Sequence, residues 1–469
     1  MITVNIGRTF LKAYNKKYKK ELTAKEFFEK KYFEVFFNYP KYLQWPTNSP
    51  FVQMKKGQKP YLLNTKDRKE KLQNLHDKIS AGERDASIAI GFPASEAKEY
   101  ATTSGLITDM NLDFHEDEIY LSWIGSGLSI GVAGGLSILF NQPDILLITY
   151  EGWKVYRKLL NDPTLEKLAG NKITSWNGQW LSYAYSKKFR DTFDYGYLDE
   201  LVFFKLDKTT LVINTVKWSK LFFNLSRQFP EKTFTGYIFS LGQTNKTLGF
   251  YPFRFQQARK LIFFYKKLFG ENAAMKDTTY YENMYGIHIK RACELGAIGM
   301  QALEPEGLKK YFDRDKMPNL KKSKISRKTK QTDKEFEIFR QEAEKKDYEN
   351  KIIPFRIYKT WLLAMITKNK EEMSDYTQEV AKAIFEYRIA AQKNKSGGTK
   401  TANIINNLFA SKSKKGFLEI LTEIISDKVV TDFKVYKELR DRIHLMNNED
   451  FGYFVVLLKF DYAYQERIS

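Results

Sequence analysis

The stretch "EIYLSWIGSGLSIGVAGGLSILFNQP" spans Glu118 to Pro143, and from Ile119 to Pro143 it carries no charged side chain, in a chain where 28% of residues are charged. A run of that kind has few destinations: a membrane span, the buried centre of a domain, or a ligand loop. Between Ile119 and Phe140 it holds five glycines and four serines, which is poor content for a lipid-facing helix. Acidic "HEDE" (His115 to Glu118) precedes it and Asp144 follows, so no cationic flank anchors either end. The reading favoured here is a buried strand with turns, glycines standing where backbones approach closely. A membrane-associated protein using residues 119–140 stays open as an alternative.

Two motifs overlap this stretch. Gly127-Leu128-Ser129-Ile130-Gly131 matches the serine-nucleophile elbow, which needs a strand before the serine and a helix after it. The glycines continuing to Gly135 do not favour a following helix. Gly125-x-Gly127 lacks the third glycine of a dinucleotide loop, and no Gly-Lys-Ser/Thr follows. Gly125, Gly127, Gly131, Gly134 and Gly135 are therefore read as structural, or as points where backbone amides meet a phosphate.

With 469 residues the chain has room for two or three domains. Its net charge of +21 predicts a polyanionic partner. The single cysteine, Cys293, excludes an intramolecular disulfide and a cysteine-based zinc finger. The first twenty residues turn basic without an apolar signal core, so an intracellular, cytoplasmic protein without a membrane partner is expected.

Charge and punctuation divide the sequence. Residues 1–308 carry a net charge of +11, residues 309–334 a net +8, and residues 335–469 a net +2. Eleven of twelve prolines and 22 of 26 glycines precede residue 335. The early region alternates strand-like runs such as "TLVINTVKW" (Thr210 to Trp218) and "TGYIFSLG" (Thr235 to Gly242) with helical ones such as "FQQARKLIFFYKKLF" (Phe255 to Phe269). Later, Phe417, Leu418, Ile420, Leu421, Ile424 and Ile425 fall on one helical face, and Val380, Ile384 and Tyr387 on another after a Ser374 cap. The expected class is α+β: a mixed α/β domain over 1–312, a basic linker or loop over 313–334, and a bundle of five to seven helices over 335–469.

Catalytic constellations are sparse. Asp144, Glu151 and Lys154 nearly imitate a metal-dependent nuclease site, with one residue too many before the lysine. The four histidines, at 76, 115, 288 and 444, show no metal-ligand spacing. No catalytic residue, metal or cofactor is assigned; a divergent nuclease using Asp144 and Glu151 is the enzymatic alternative. The basic features are stronger. Lys321, Lys322, Lys324, Arg327, Lys328 and Lys330 form a cationic arm suited to phosphates. Lys12, Lys16 and Lys17 alternate with Tyr14 and Tyr18, which either stack on bases or pack inward. Gln243, Asn245 and Lys246 occupy a polar tip whose amides suit base edges. Lys412, Lys414 and Lys415 form a basic connector.

A basic α/β domain, a cationic connector and a near-neutral helical bundle, with "LSIGVAGGLSIL", "GYIFSLGQTNKTLGFYPF" and "CELGAIGMQALEPEGL", together resemble the large subunit of type I CRISPR surveillance complexes (Cascade), the type I-B kind in particular. The resemblance implies a non-catalytic subunit of an antiviral defence complex. Its first domain would contact guide RNA and the short motif beside the target in double-stranded DNA. Its bundle, similar to the small subunit, would hold the opened strands of the R-loop. Partners would be the other Cascade subunits and a helicase-nuclease recruited in trans. Some relatives carry paired cysteines for zinc, from which this chain departs.

Overall fold

The computed structural model describes residues 1–46, 49–83, 114–186, 189–190, 203–240, 246–276, 281, 303–313, 316–327, 332–366, 370–393, 398–427, 430 and 433–469. The class is α+β, with a small sheet among many helices and a helical C-terminal region. Backbone contacts divide the chain after Gln256, so the segment from 257 to 312, expected with the first domain, belongs in its described part to the second unit.

The first unit opens with α1 (Ile2–Tyr18), whose buried positions Val4, Ile6, Phe10 and Tyr14 follow helical spacing. Thr23 and Glu26 form a capping box for α2 (Ala24–Phe27). A π-helical turn (Phe28–Phe33) continues it into α3 (Glu34–Phe36). The aromatic-rich sequence "EFFEKKYFEVFF" thereby buries Phe27, Phe28, Tyr32, Phe33, Phe36 and Phe37. Helix α4 (Thr65–Ser80), capped by Asn64, follows.

The uncharged stretch then divides. Its first part is α5 (Glu116–Gly127), in which every residue from Ile119 to Gly127 is buried. This corrects the expected strand: a helix apolar on all sides sits at the centre of a core and shows no amphipathic period. The acidic "HEDE" supplies Glu116, Asp117 and Glu118 to the first turn of α5, where they complement the helix dipole. The second part is a hairpin of β1 (Ile130–Val132) and β2 (Leu136–Phe140), turning at Gly134 and Gly135 with φ of 96° and 73°.

Pro143 starts α6 (Pro143–Leu160), and α7 (Ile173–Ala184) packs beside it. A two-stranded ribbon, β3 (Phe204–Asp207) with β4 (Thr210–Ile213), precedes α8 (Trp218–Gln228). Strands β5 (Thr233–Ser240) and β6 (Lys246–Arg254) complete an antiparallel sheet in the order β1-β2-β5-β6, with Ile138 opposite Ile238 and Gly236 opposite Tyr251. Trp123, Trp153, Phe10 and Tyr150 belong to one aromatic core on which α1, α5 and α6 converge.

In the second unit, α9 (Gln256–Phe269) and α10 (Glu271–Lys276) precede α11 (Asp333–Asp347), which carries a Thr332/Glu335 capping box. A π turn (Tyr348–Ile352) leads into α12 (Ile353–Met365), and Pro354 stands in its first turn, as a helix start allows. Then come α13 (Lys370–Lys393), α14 (Gly398–Ala410), α15 (Lys414–Ile425), α16 (Lys434–Leu445) and α17 (Asn448–Ile468). Helix α13 already runs from Lys370, so Ser374 is a buried interior residue rather than the expected cap. Val380, Ile384 and Tyr387 share a core with Phe417, Leu421, Ile424 and Phe454. Across it, the Lys359 ammonium donates to Asp461 at 2.6 Å and the Thr377 hydroxyl donates to the other oxygen of that carboxylate at 2.6 Å, all three side chains being buried.

Two outcomes follow from these packings. A methyl at Gly125 would overlap the Thr3 carbonyl, and backbone cannot step aside, so Gly125→Ala should cost about 3 kcal/mol in urea unfolding. Lys359→Met alone should cost about 3–5 kcal/mol by stranding Asp461, and Lys359→Met with Asp461→Leu should regain most of it.

Candidate nucleic-acid interface

The basic segment 313–334 reads as a linker or loop, and in its described part the backbone from Leu320 to Ser323 is tied to the helical unit. Leu320 is buried, and its carbonyl accepts from Arg467 Nη1 at 2.7 Å. Ser323 donates to Asp347 Oδ1 through its amide (3.1 Å) and its hydroxyl (2.8 Å). Arg467 Nη2 reaches the other oxygen of Asp347 at 2.6 Å, and Lys351 Nζ lies 2.8 Å from Oδ1 while also donating to the Lys321 carbonyl. Burial alone would raise the Asp347 pKa. Hydrogen bonds from Lys351, Arg467 and Ser323 outweigh it and hold the carboxyl well below the usual range.

This clamp presents the cationic side chains outward. Lys321, Lys322, Lys324 and Arg327 are exposed; Lys321 has Glu466 at 3.8 Å, and Arg327 pairs with Asp333 at 2.8 Å. Lys328 and Lys330 lie outside the described residues. The sequence pattern located the lysines but not the clamp, because Asp347, Lys351 and Arg467 look like ordinary helix-surface charges until the chain folds.

On α1 the inward reading of the tyrosines holds. Tyr14 is buried among Phe10, Phe27 and Tyr150, and the Tyr18 ring packs against it, tilted, with centroids 4.6 Å apart. Lys12, Lys16 and Lys17 occupy the exposed face. The Tyr18 hydroxyl donates to Glu151, which also holds Lys154 at 2.9 Å and has Lys17 at 3.8 Å. Burial, then the Glu151 hydrogen bond, raises the Tyr18 pKa. For Glu151 burial works upward, but the bonds from Tyr18 and Lys154 prevail and lower it.

Glu151 is thus occupied by a tyrosine and lysines, and Asp144 stands seven positions earlier on the same helix, roughly 10 Å along the axis. That separation does not form the carboxylate pair a nuclease reading requires, and among the described residues no three His, Cys, Asp or Glu side chains gather. His76 is buried, its Nδ1 hydrogen-bonded to the Tyr120 hydroxyl at 2.7 Å. Ser129 of the elbow-like motif follows a helix and precedes a strand, the reverse of an elbow, and it is buried.

The glycines divide by location. Gly125, Gly127 and Gly131 are buried, against Thr3, the Phe36 and Tyr32 rings, and Thr174 respectively, away from any external phosphate. Gly134 and Gly135 are exposed at a hairpin tip. Gln243 and Asn245 lie outside the described residues, and Lys246 is the first residue of β6. Lys412 on the α14–α15 connector and Lys415 in the first turn of α15 are exposed, while Lys414 donates to the Met446 carbonyl at 2.8 Å and is half-buried. Among the described residues no helix is long and apolar enough to cross a membrane.

No family model, curated protein or solved structure matches the chain.

The clamp generates a pH dependence. Because the folded pKa of Asp347 is depressed, its stabilisation is fully present above the ordinary aspartate value of about 3.9 and is lost as pH falls below it. Asp347→Asn should therefore flatten the loss of unfolding free energy below about pH 4. At neutral pH the same variant should accelerate tryptic cleavage after Lys321, Lys322 and Lys324, read by mass spectrometry.

Proposed function

We propose that this chain is a non-catalytic, nucleic-acid-binding large subunit of an RNA-guided Cascade complex, contacting guide RNA and the target-adjacent motif of duplex DNA and holding opened strands. The observation that carries the binding part is the clamped segment 316–327. Its backbone is anchored by Asp347 and Arg467, so its exposed lysines are set on a fixed track instead of a free tail. Ordering that backbone before binding lowers the entropy lost on contact with phosphates. Further support comes from the net charge of +21 and the exposed lysine face of α1. The assignment to Cascade rests on the sequence resemblance and on a mixed α+β unit followed by a helical one.

Two measurements test the proposal. A tagged pull-down from the native host should co-purify uniform guide-sized RNA with several stoichiometric proteins; a lone chain without RNA overturns the Cascade assignment. Replacing Lys321, Lys322, Lys324, Arg327, Lys328 and Lys330 by alanine should reduce the salt slope of duplex-DNA binding by several units, at about 0.9 per phosphate contact. An unchanged slope removes the segment from the interface.

A further inference from the structure

Gly452, in the second turn of α17, differs from the packed helical glycines of the first unit. At Gly7, Gly125, Gly127, Gly152 and Gly178 an added Cβ would meet a backbone group or an aromatic ring at once, which explains why each is glycine. At Gly452 it would meet nothing within 4 Å. A glycine inside a helix costs about 1 kcal/mol relative to alanine, and here no internal packing requires it. The space it leaves belongs to a cavity of about 250 Å³ bounded by α14, α17 and Phe312.

The chemistry of that cavity is mixed in a particular way. Phe312, Phe409 and Phe451 give it ring surfaces, Asn448 gives an exposed amide at its edge, and no lining residue is acidic. Lys459 is buried in its wall and donates to the Tyr311 carbonyl at 3.1 Å. At its mouth stands exposed Lys412, with exposed Lys415 on the following helix turn. A planar ring with apolar faces and polar edges, joined to phosphates, has the same distribution of properties. The volume is below that of pockets for drug-sized ligands and suits one such ring system.

We propose that this cavity accepts one unstacked base of a single-stranded nucleic acid, with the flanking phosphates on Lys412 and Lys415. The inference rests on the nucleic-acid-binding reading above and adds a site to it: the bundle would grip a displaced strand by inserting a base, in addition to attracting its backbone. Base–aromatic contact is sequence-tolerant, since every base has a π face, so the grip would not depend on the target.

The test uses the full chain and a labelled oligothymidylate, followed by fluorescence anisotropy. Gly452→Leu fills the cavity without changing charge and should weaken binding about ten- to a hundredfold, the range expected for one lost base contact, with the salt slope unchanged. Lys412→Ala should lower that slope by about 0.7, the single-strand value for one phosphate. Independently of any variant, an oligonucleotide containing 4-thiothymidine should photocrosslink to wild-type peptides carrying Phe409 to Lys412 or Phe451 to Lys459. Undiminished binding by Gly452→Leu with crosslinks only elsewhere overturns the cavity while leaving the nucleic-acid reading intact. No binding and no crosslinking by the wild-type chain overturns both.

Discussion

The first unit depends on one backbone-to-backbone crossing. Where α1 meets α5, Gly7 lies against the Leu121 carbonyl and Gly125 against the Thr3 carbonyl, at a separation that leaves no room for a side chain on either glycine. That approach allows α5 to be enclosed on every side, so its residues from Ile119 to Gly127 are all out of solvent. A helix so enclosed cannot carry charge without a large desolvation cost. The absence of charge in the stretch is therefore a consequence of where the helix sits. Its serines are met individually: Ser122 donates to the Ile119 carbonyl at 2.6 Å, and Ser126 accepts from Gln44 Nε2 at 2.9 Å.

The second unit answers the opposite problem, charge placed inside a bundle. Helix α17 contributes Lys459, Asp461 and Arg467 within its last turns, the first two buried. Each is met by a partner from elsewhere in the unit: Tyr311 for Lys459, Lys359 and Thr377 for Asp461, Asp347 for Arg467. A buried ion pair adds little net stability over apolar packing, but it penalises any arrangement that leaves one member alone. These contacts thus select one way for α12, α13, Tyr311 and the 316–323 segment to lie along α17. The exposed lysines inherit their placement from that selection.

The same principle connects the fold to the function proposed above. Electrostatic attraction to a polyanion needs only net charge, whereas a productive grip on a strand needs charges at fixed spacing together with somewhere for bases to go. The clamped segment meets the first requirement, and the space beside Gly452 bears on the second. Both features lie in the second unit.

Much of this organisation is written in local sequence. The strand in "TGYIFSLG", the helical C-terminal region, the inward face of Phe417, Leu421 and Ile424, and the burial of Ile119 to Val132 all follow from periodicity, turn residues and missing charge. The helical state of Ile119 to Gly127 does not, because glycine and serine lower helix propensity and all-round burial erases the amphipathic period that would reveal it. Nor does the start of α13: Ser374 has the chemistry of a cap, but the helix is already under way at Lys370 and the serine is buried in packing. Sequence by itself determined which segments are apolar, which are basic and which periods they follow, since those are properties of neighbours along the chain. Only the tertiary structure decided that the basic segment is held and the tyrosines of α1 are spent in the core. Those outcomes depend on partners such as Arg467 and Asp347, 120 positions apart, whose meeting no local pattern encodes.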